Sequence, residues 1–320
     1  MDAVAYALVN QMKQKLKSSS LVWFYHGLVP STNPYGIPRS CAVGSVGYIY
    51  VSGSDKHEFF AYDTIAGTFT PLPLPPVRRY SPYLFSYGNT VFLFGGAESD
   101  SNQKTKTLYA FDTVAKTWSQ KTSAPFGLSA PTGTNQFTVG STQYIISYEN
   151  GVVYDLLAYH MDTDVWENKG PTPSLDSCFA FATGGKGYAG CSYATYVSSR
   201  EFYEYDPATN AWTSKADVPN VHTRAITIST GGMGYVFGGI DLQKSTDTLQ
   251  ISKYDPSTNQ WATIGSVLSI DDYTGSTFNV GNTGYKIGSP KNKTINAFYT
   301  NALGMVENDL NVALGWIAGQ

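Results

Sequence analysis

The feature that most constrains this chain is a unit of about fifty residues that comes round six times. Gly231 to Trp261 shows it in full: a tight glycine turn, an apolar strand ending in Gly238-Gly239, a polar loop, a second strand ending in Tyr254-Asp255, and a tryptophan six residues after that aspartate. Glycine turns open at Gly44, Gly88, Gly140, Gly184, Gly231 and Gly281, each followed by an apolar strand. The second strands close on Tyr62-Asp63, Phe111-Asp112, Tyr159-His160, Tyr205-Asp206, Tyr254-Asp255 and the degraded Phe298-Tyr299. Six residues beyond each pair stand Phe69, Trp118, Trp166, Trp212, Trp261 and Met305, at intervals of 44 to 49 residues. Repetition on this scale decides that the 320 residues form one array of like units and not two unrelated domains.

Each unit is expected to be a small antiparallel sheet. Only 14% of residues are charged, while 24 tyrosines, 16 phenylalanines and 6 tryptophans supply the aromatic surface that suits a pleated, half-buried strand. A sheet of four strands cannot bury both faces alone, so its aromatic residues must pack on the next unit. Asp206-Pro-Ala-Thr-Asn210 and Asp255-Pro-Ser-Thr-Asn259 are tight turns, because Asp and Asn bond nearby amides and Pro presets φ. Glycines supply positive φ and room for close backbone approach. Cys41, Cys178 and Cys191 have no metal-ligand spacing and are expected to be buried apolar residues.

The glycine pairs Gly95-Gly96 and Gly238-Gly239, with the aromatic-Asp…Trp spacing met in full at Phe111-Asp112-Trp118, Tyr205-Asp206-Trp212 and Tyr254-Asp255-Trp261, resemble the Kelch repeat. The likeness covers residues 21 to about 305. It departs at Phe69, at His160, at the third unit's missing glycine pair, and in the sixth unit, which lacks both Asp and Trp. What it implies is an all-β fold, a six-bladed Kelch-type β-propeller with four-stranded antiparallel blades, here preceded by a short N-terminal helix. Trp23 to Pro30 keeps the seven-residue Trp-to-Pro spacing of Trp118 to Pro125, Trp166 to Pro173 and Trp212 to Pro219. Residues 21–29 are therefore expected to form an outermost strand donated to the last blade, closing the ring and protecting its edge. The expected organisation is a helix at 1–20, a propeller at 21–305 and a tail at 306–320.

Val4, Leu8, Met12 and Leu16 fall four apart with lysines on the other side, which predicts a helix that packs on the propeller or docks it to a homo-oligomer or larger assembly. The stretch "AYALVNQMKQKL" also resembles the attachment helices of bacteriophage tail-fibre and other virion appendage proteins. The apolar run at Ala3–Val9 is short and its lysines follow it, so a secretory leader is not expected. No stretch reaches the length of a membrane span. A net charge of −3 offers no basic field for a row of phosphates, which argues against nucleic acid.

Function is expected on the face that collects the loops between second and third strands and the connections between units, because the opposite turns are short and alike. Exposed Tyr among Arg, Asp, Ser and Asn suits sugar rings or a protein partner. The candidate ligand-binding residues are Arg39, Arg78, Arg79, Tyr80, Asp176, Tyr193, Tyr196, Arg224, Asp271 and Tyr273. Two enzyme classes share the Kelch-like fold. A copper-radical galactose oxidase needs paired histidines and tyrosines around its metal, and His26, His57, His160 and His222 are scattered. A sialic acid mutarotase-like site needs an Arg with Glu or His at the channel, for which Arg39, Arg78, Arg224 and His222 are the available groups. The expectation is a non-enzymatic binding propeller without metal or cofactor, most simply a virion or surface attachment protein that takes a glycan receptor or protein partner. An intracellular interaction module is the alternative, and a carbohydrate-active enzyme the third.

Overall fold

The computed structural model describes residues 22–33, 36–53, 56–98, 103–125, 127–128, 135–147, 155–194, 197–266, 275–288 and 294–299. The helix expected over 1–20, with Val4, Leu8, Met12 and Leu16, and the tail 306–320 lie outside the described residues. Among those described, every regular element is a strand, and no helix is long and apolar enough to cross a membrane.

The strands form a six-bladed β-propeller. Strand β1 (Val22–Leu28) stands apart in sequence. Blade 1 is β2 (Ile37–Val43), β3 (Val46–Ser52), β4 (His57–Asp63) and β5 (Thr68–Pro71). Blade 2 is β6 (Tyr83–Tyr87), β7 (Thr90–Phe94), β8 (Leu108–Asp112) and β9 (Thr117–Lys121), and blade 3 is β10 (Gln136–Val139), β11 (Thr142–Ile146), β12 (Asp155–His160) and β13 (Val165–Pro171). Blade 4 comprises β14 (Phe179–Thr183), β15 (Lys186–Gly190), β18 (Phe202–Asp206) and β19 (Ala211–Ser214), with an added hairpin of β16 (Tyr193–Ala194) and β17 (Val197–Ser198). Blade 5 repeats that plan with β20 (Ile226–Thr230), β21 (Met233–Phe237), β24 (Gln250–Asp255) and β25 (Gln260–Ser266), and a hairpin of β22 (Ile240–Asp241) and β23 (Thr246–Asp247). Blade 6 has β26 (Ser276–Val280), β27 (Thr283–Ile287) and β28 (Thr294–Tyr299), and its fourth strand is β1, antiparallel to β28 from Val22↔Tyr299 to Leu28↔Thr294.

The core lies between blades. The second strand of each blade reads as an apolar run because both its faces are covered: Tyr48 and Tyr50 of β3 pack toward blade 2, Ile49 and Val51 toward blade 6. Three further interfaces are built alike. Phe92, Phe94 and Leu108 meet Leu157 and Tyr159; Phe137 and Tyr144 meet Ala189 and Tyr205; Phe179, Phe181 and Tyr188 meet Val236 and Tyr254. Each aromatic side chain so buried contributes roughly 2–3 kcal/mol.

Polar groups fix the register of blade on blade. The indole Nε1 of Trp118, Trp166 and Trp261 donates to the carbonyls of Pro73, Thr122 and Ala216, each in the preceding blade. Tyr159, Tyr205 and Tyr254 donate their hydroxyls to Asp164, Asn210 and Asn259, which occupy the left-handed position of the outer turn. Asp164 and Asn259 in turn accept from the amides of Thr122 and Ala216 one blade back. Around the innermost strands Ser86 donates to Ala42, Thr227 to Ala180 and Thr277 to Thr227, again each to the preceding blade. Ser40 and Ser276 close the circle at 2.7 Å.

Candidate functional site

Strand direction puts the loops between second and third strands, and the connections between blades, on one face. Blades 4 and 5 carry extra two-stranded hairpins there, whereas the corresponding loop of blade 2 is pinned by a single antiparallel bridge, Ala97 with Lys104. The two are tied to each other: Ser198 at the end of β17 donates its hydroxyl to Asp241 of β22 at 2.8 Å and accepts from the Gln243 amide at 3.2 Å. Asp241 is buried and also receives the amides of Gln243 (3.1 Å) and Lys244 (3.3 Å), while its second oxygen pairs with Lys244 Nζ at 3.1 Å. Burial pushes its carboxyl up, but the Ser198 hydroxyl and the Lys244 contacts outweigh it and hold the group below the ordinary carboxylate value.

Under this bridge lies a cleft of about 560 Å³. Arg200, Glu201, Asp217 and Asn220 form one side, and Gln243, Lys244, Thr246 and Thr248 the other. Its walls are mainly polar, with both charge signs represented beside Pro219 and Val221, so it can exchange hydrogen bonds with a hydroxylated or amide-bearing ligand in several directions.

The inner wall depends on His222, which is fully buried. Its Nδ1 lies 2.5 Å from the carbonyl of Gly238 and must carry the proton there, leaving Nε2 to accept from the Ser252 hydroxyl at 2.8 Å. Burial pulls its pKa down to about 4, so the ring is neutral. Next to it the Thr223 hydroxyl donates to the Ile240 carbonyl, and the Ile240 amide returns to Thr223 at 3.0 Å. That lacing needs the second glycine of the pair. A Cβ on Gly239 would stand 2.8 Å from the Thr223 carbonyl oxygen, and one on Gly96 2.6 Å from that of Tyr80 in blade 2.

The residues singled out from the sequence fall into two groups on this face. Tyr193 donates its amide to the Asp176 carbonyl (2.9 Å), and Arg224 donates its amide to the Ser177 carbonyl (2.9 Å), so Asp176, Tyr193 and Arg224 gather where blades 4 and 5 meet. Arg224 is exposed and left-handed, with φ 58°. Arg39 on β2 lies near the phenols of Tyr80 and Tyr83; water reaches part of it, yet enough protein surrounds its head group that desolvation lowers its pKa to about 10. Tyr80 is exposed and pairs its backbone with Ala97, and Arg78 is exposed close to His57. Arg79 points inward instead: it is 4% exposed, its guanidinium donates to Glu98 and Thr107, and Tyr50 clasps its backbone. It holds the blade 1–2 loop in place, and burial lowers its pKa. Tyr196, Asp271 and Tyr273 lie outside the described residues.

Sequence reasoning passed over Glu201, Asp217, Asn220, Gln243 and Lys244 as individuals. The one cue was length, since the loops Cys191–Arg200 and Gly238–Thr248 outgrow the glycine turns. All three cysteines are free and buried, and among the described residues no three His, Cys, Asp or Glu side chains lie close enough to hold a metal ion.

Fold and face together define a six-bladed propeller with an elaborated cleft between blades 4 and 5. The solved structure of YjhT is similar, with a TM-score of 0.67 at 16% identity over 85% of this chain and 96% of that one, a likeness that bears on fold alone. No family model matches the chain. No curated protein matches it by sequence.

Proposed function

We propose that this chain is a Kelch-type propeller that binds a ligand and does not transform it, acting as an attachment module whose loop face takes a glycan receptor. The observation that carries this reading is the cleft between blades 4 and 5. Two hairpins, locked together through Ser198 and Asp241, border an open, mainly polar volume large enough for one or two sugar rings. Lys244 is paired with Asp241, and the amide and hydroxyl side chains of the cleft suit a ligand rich in hydroxyls. The likeness of residues 1–20 to virion attachment helices supports a virion or surface setting.

A glycan array on the intact protein tests the reading. The double substitution Arg200→Ala and Asn220→Ala is expected to weaken binding of a positive glycan by about tenfold or more, the loss of roughly 1.4 kcal/mol that a pair of ligand hydrogen bonds supplies. Binding that ignores those substitutions and disappears with Arg78→Ala or Tyr80→Ala places the ligand at blades 1 and 2 and refutes the cleft. Turnover of the bound sugar refutes the non-enzymatic reading.

A further inference from the structure

The chain leaves blade 1 through the run "PLPLPP" at residues 71–76. Aligned on the outer-strand aromatic position, held by Phe69, Trp118, Trp166 and Trp212, only Pro76 belongs to the repeat, matching Pro125, Pro173 and Pro219. Pro71, Pro73 and Pro75 stand where blade 2 has Gln120, Thr122 and Ala124, and where blade 4 has Ser214, Ala216 and Val218.

These extra prolines work against the scaffold. Ala124 and Val218 donate their amides to the carbonyls of Lys106 and Arg200, at 2.8 and 2.9 Å, and Pro75 has no amide to donate. Thr122 and Ala216 donate theirs to Asp164 and Asn259 of the following blade, at 3.0 and 3.1 Å. Pro73 forgoes that bond too, and the left-handed residue at the matching turn position of blade 2 is Lys116, which carries no acceptor. The anchorage that remains uses no proline nitrogen: the Leu72 amide donates to the Phe59 carbonyl at 2.9 Å, and the Pro73 carbonyl accepts from the Trp118 indole at 2.8 Å.

What the run gains is a rigid shape. Each proline holds its own φ at about −65° and pushes the residue before it into the extended region, which pins Leu72, Leu74 and Pro75 as well. Burial then follows the period of a polyproline II helix, about three residues per turn. Leu72 and Pro75 point inward, Leu72 onto the core that blades 1 and 2 share. Pro71 and Leu74 form one exposed row and Pro73 and Pro76 a second, with Leu74 47% exposed. Two such apolar rows, side by side on a pre-formed helix, are what aromatic-lined grooves take up.

We propose that residues 71–76 form a docking ridge for a partner protein that reads polyproline II through a groove lined by Trp and Tyr, of the SH3 type. Binding orders little chain, because the run is already fixed at Leu72 and Pro73. The ridge lies beside blades 1 and 2 and is separate from the cleft between blades 4 and 5.

A set of isotope-labelled SH3 domains, titrated with the intact protein and followed by NMR, tests this. Saturable shifts at groove residues of at least one domain are expected. Giving blade 1 the outward residues of blade 2, through Pro71→Gln, Pro73→Thr and Leu74→Ser, is expected to weaken that binding by about tenfold or more. The melting temperature is expected to hold, since Gln120, Thr122 and Ser123 occupy the same positions of a folded blade. Leu74→Ser alone, at an exposed side chain, is expected to weaken binding in the same direction. Pro125→Ala, at the repeat proline of blade 2, is expected to leave it unchanged. Failure of every domain to show groove shifts overturns the proposal, as does equal affinity for the blade 2 graft. Binding that is lost with Arg200→Ala and Asn220→Ala belongs to the cleft and overturns it as well.

Discussion

Acid is expected to loosen the cleft through His222. In the folded chain this ring is neutral, donating from Nδ1 to Gly238 and accepting at Nε2 from Ser252, with its pKa lowered by burial from the ordinary 6.5 to about 4. Between those two values the unfolded chain takes up a proton that the folded chain refuses. Stability from this source is therefore whole above about pH 6.5 and falls as pH drops toward the folded value. A gap of this size is worth about 3 kcal/mol in all, of which roughly 2.5 kcal/mol is gone by about pH 4.5. Urea unfolding near pH 7.5 and near pH 4.5 measures it. His222→Asn is expected to start less stable, having lost the bond to Ser252, but to lose about 2–3 kcal/mol less than the native chain across that interval. Since Gly238 opens the β22–β23 hairpin, amides of residues 238–248 are expected to exchange faster in acid before the rest of blade 5 does. Parallel pH profiles for the two proteins refute the assignment of a buried, neutral His222.

Four further outcomes follow from the packing. A Cβ at Gly234 would fall 2.2 Å from the ring of Phe181 in blade 4; Gly234→Ala is expected to cost about 1–3 kcal/mol of stability by thermal unfolding, and adding Phe181→Leu to cost less than the sum of the two single changes. Asp241→Asn replaces an acceptor of four contacts, so amides of the β22–β23 hairpin are expected to exchange markedly faster in hydrogen-exchange mass spectrometry, with ligand affinity falling in step. Burial pushes Cys191 up to about 12 and raises Cys41 and Cys178 as well; all three thiols are expected to stay unreactive to a thiol reagent until urea unfolds the chain, and one fast thiol in the native state contradicts this. Deleting residues 1–30 is expected to lower the melting temperature far more than deleting residues 1–18, and equal melting temperatures argue against a structural role for β1.

The six-bladed scaffold was legible because its determinants recur. Trp118, Trp166, Trp212 and Trp261 sit at one spacing, and each must solve the same problem of covering a neighbouring sheet, so a single sequence carries several copies of the answer. What occurs once was not legible. Nothing in the run Arg78-Arg79 says that the first side chain is exposed and the second buried against Glu98 and Thr107. His222 passed for a candidate channel residue, although its bonds to Gly238 and Ser252 make it a strut. The cleft itself depends on Ser198 meeting Asp241 across 43 residues of chain. That contact joins loops of two blades, and neither loop shares a spacing with any other unit.

Ring closure through β1 also bears on how the molecule is made. Val22 leaves the ribosome well before its partner Tyr299, with five blades synthesised between them. Until then Ile49, Val51, Phe60 and Tyr62 on the outer flank of blade 1 have nothing to rest against, since Phe278, Tyr285 and Ile287 do not yet exist. Joining distant ends is a modest entropic burden, because that cost grows only with the logarithm of length, but it is a late event in time. The nascent chain therefore carries an open, aromatic-lined edge until β28 has emerged, and only then can it become a closed body.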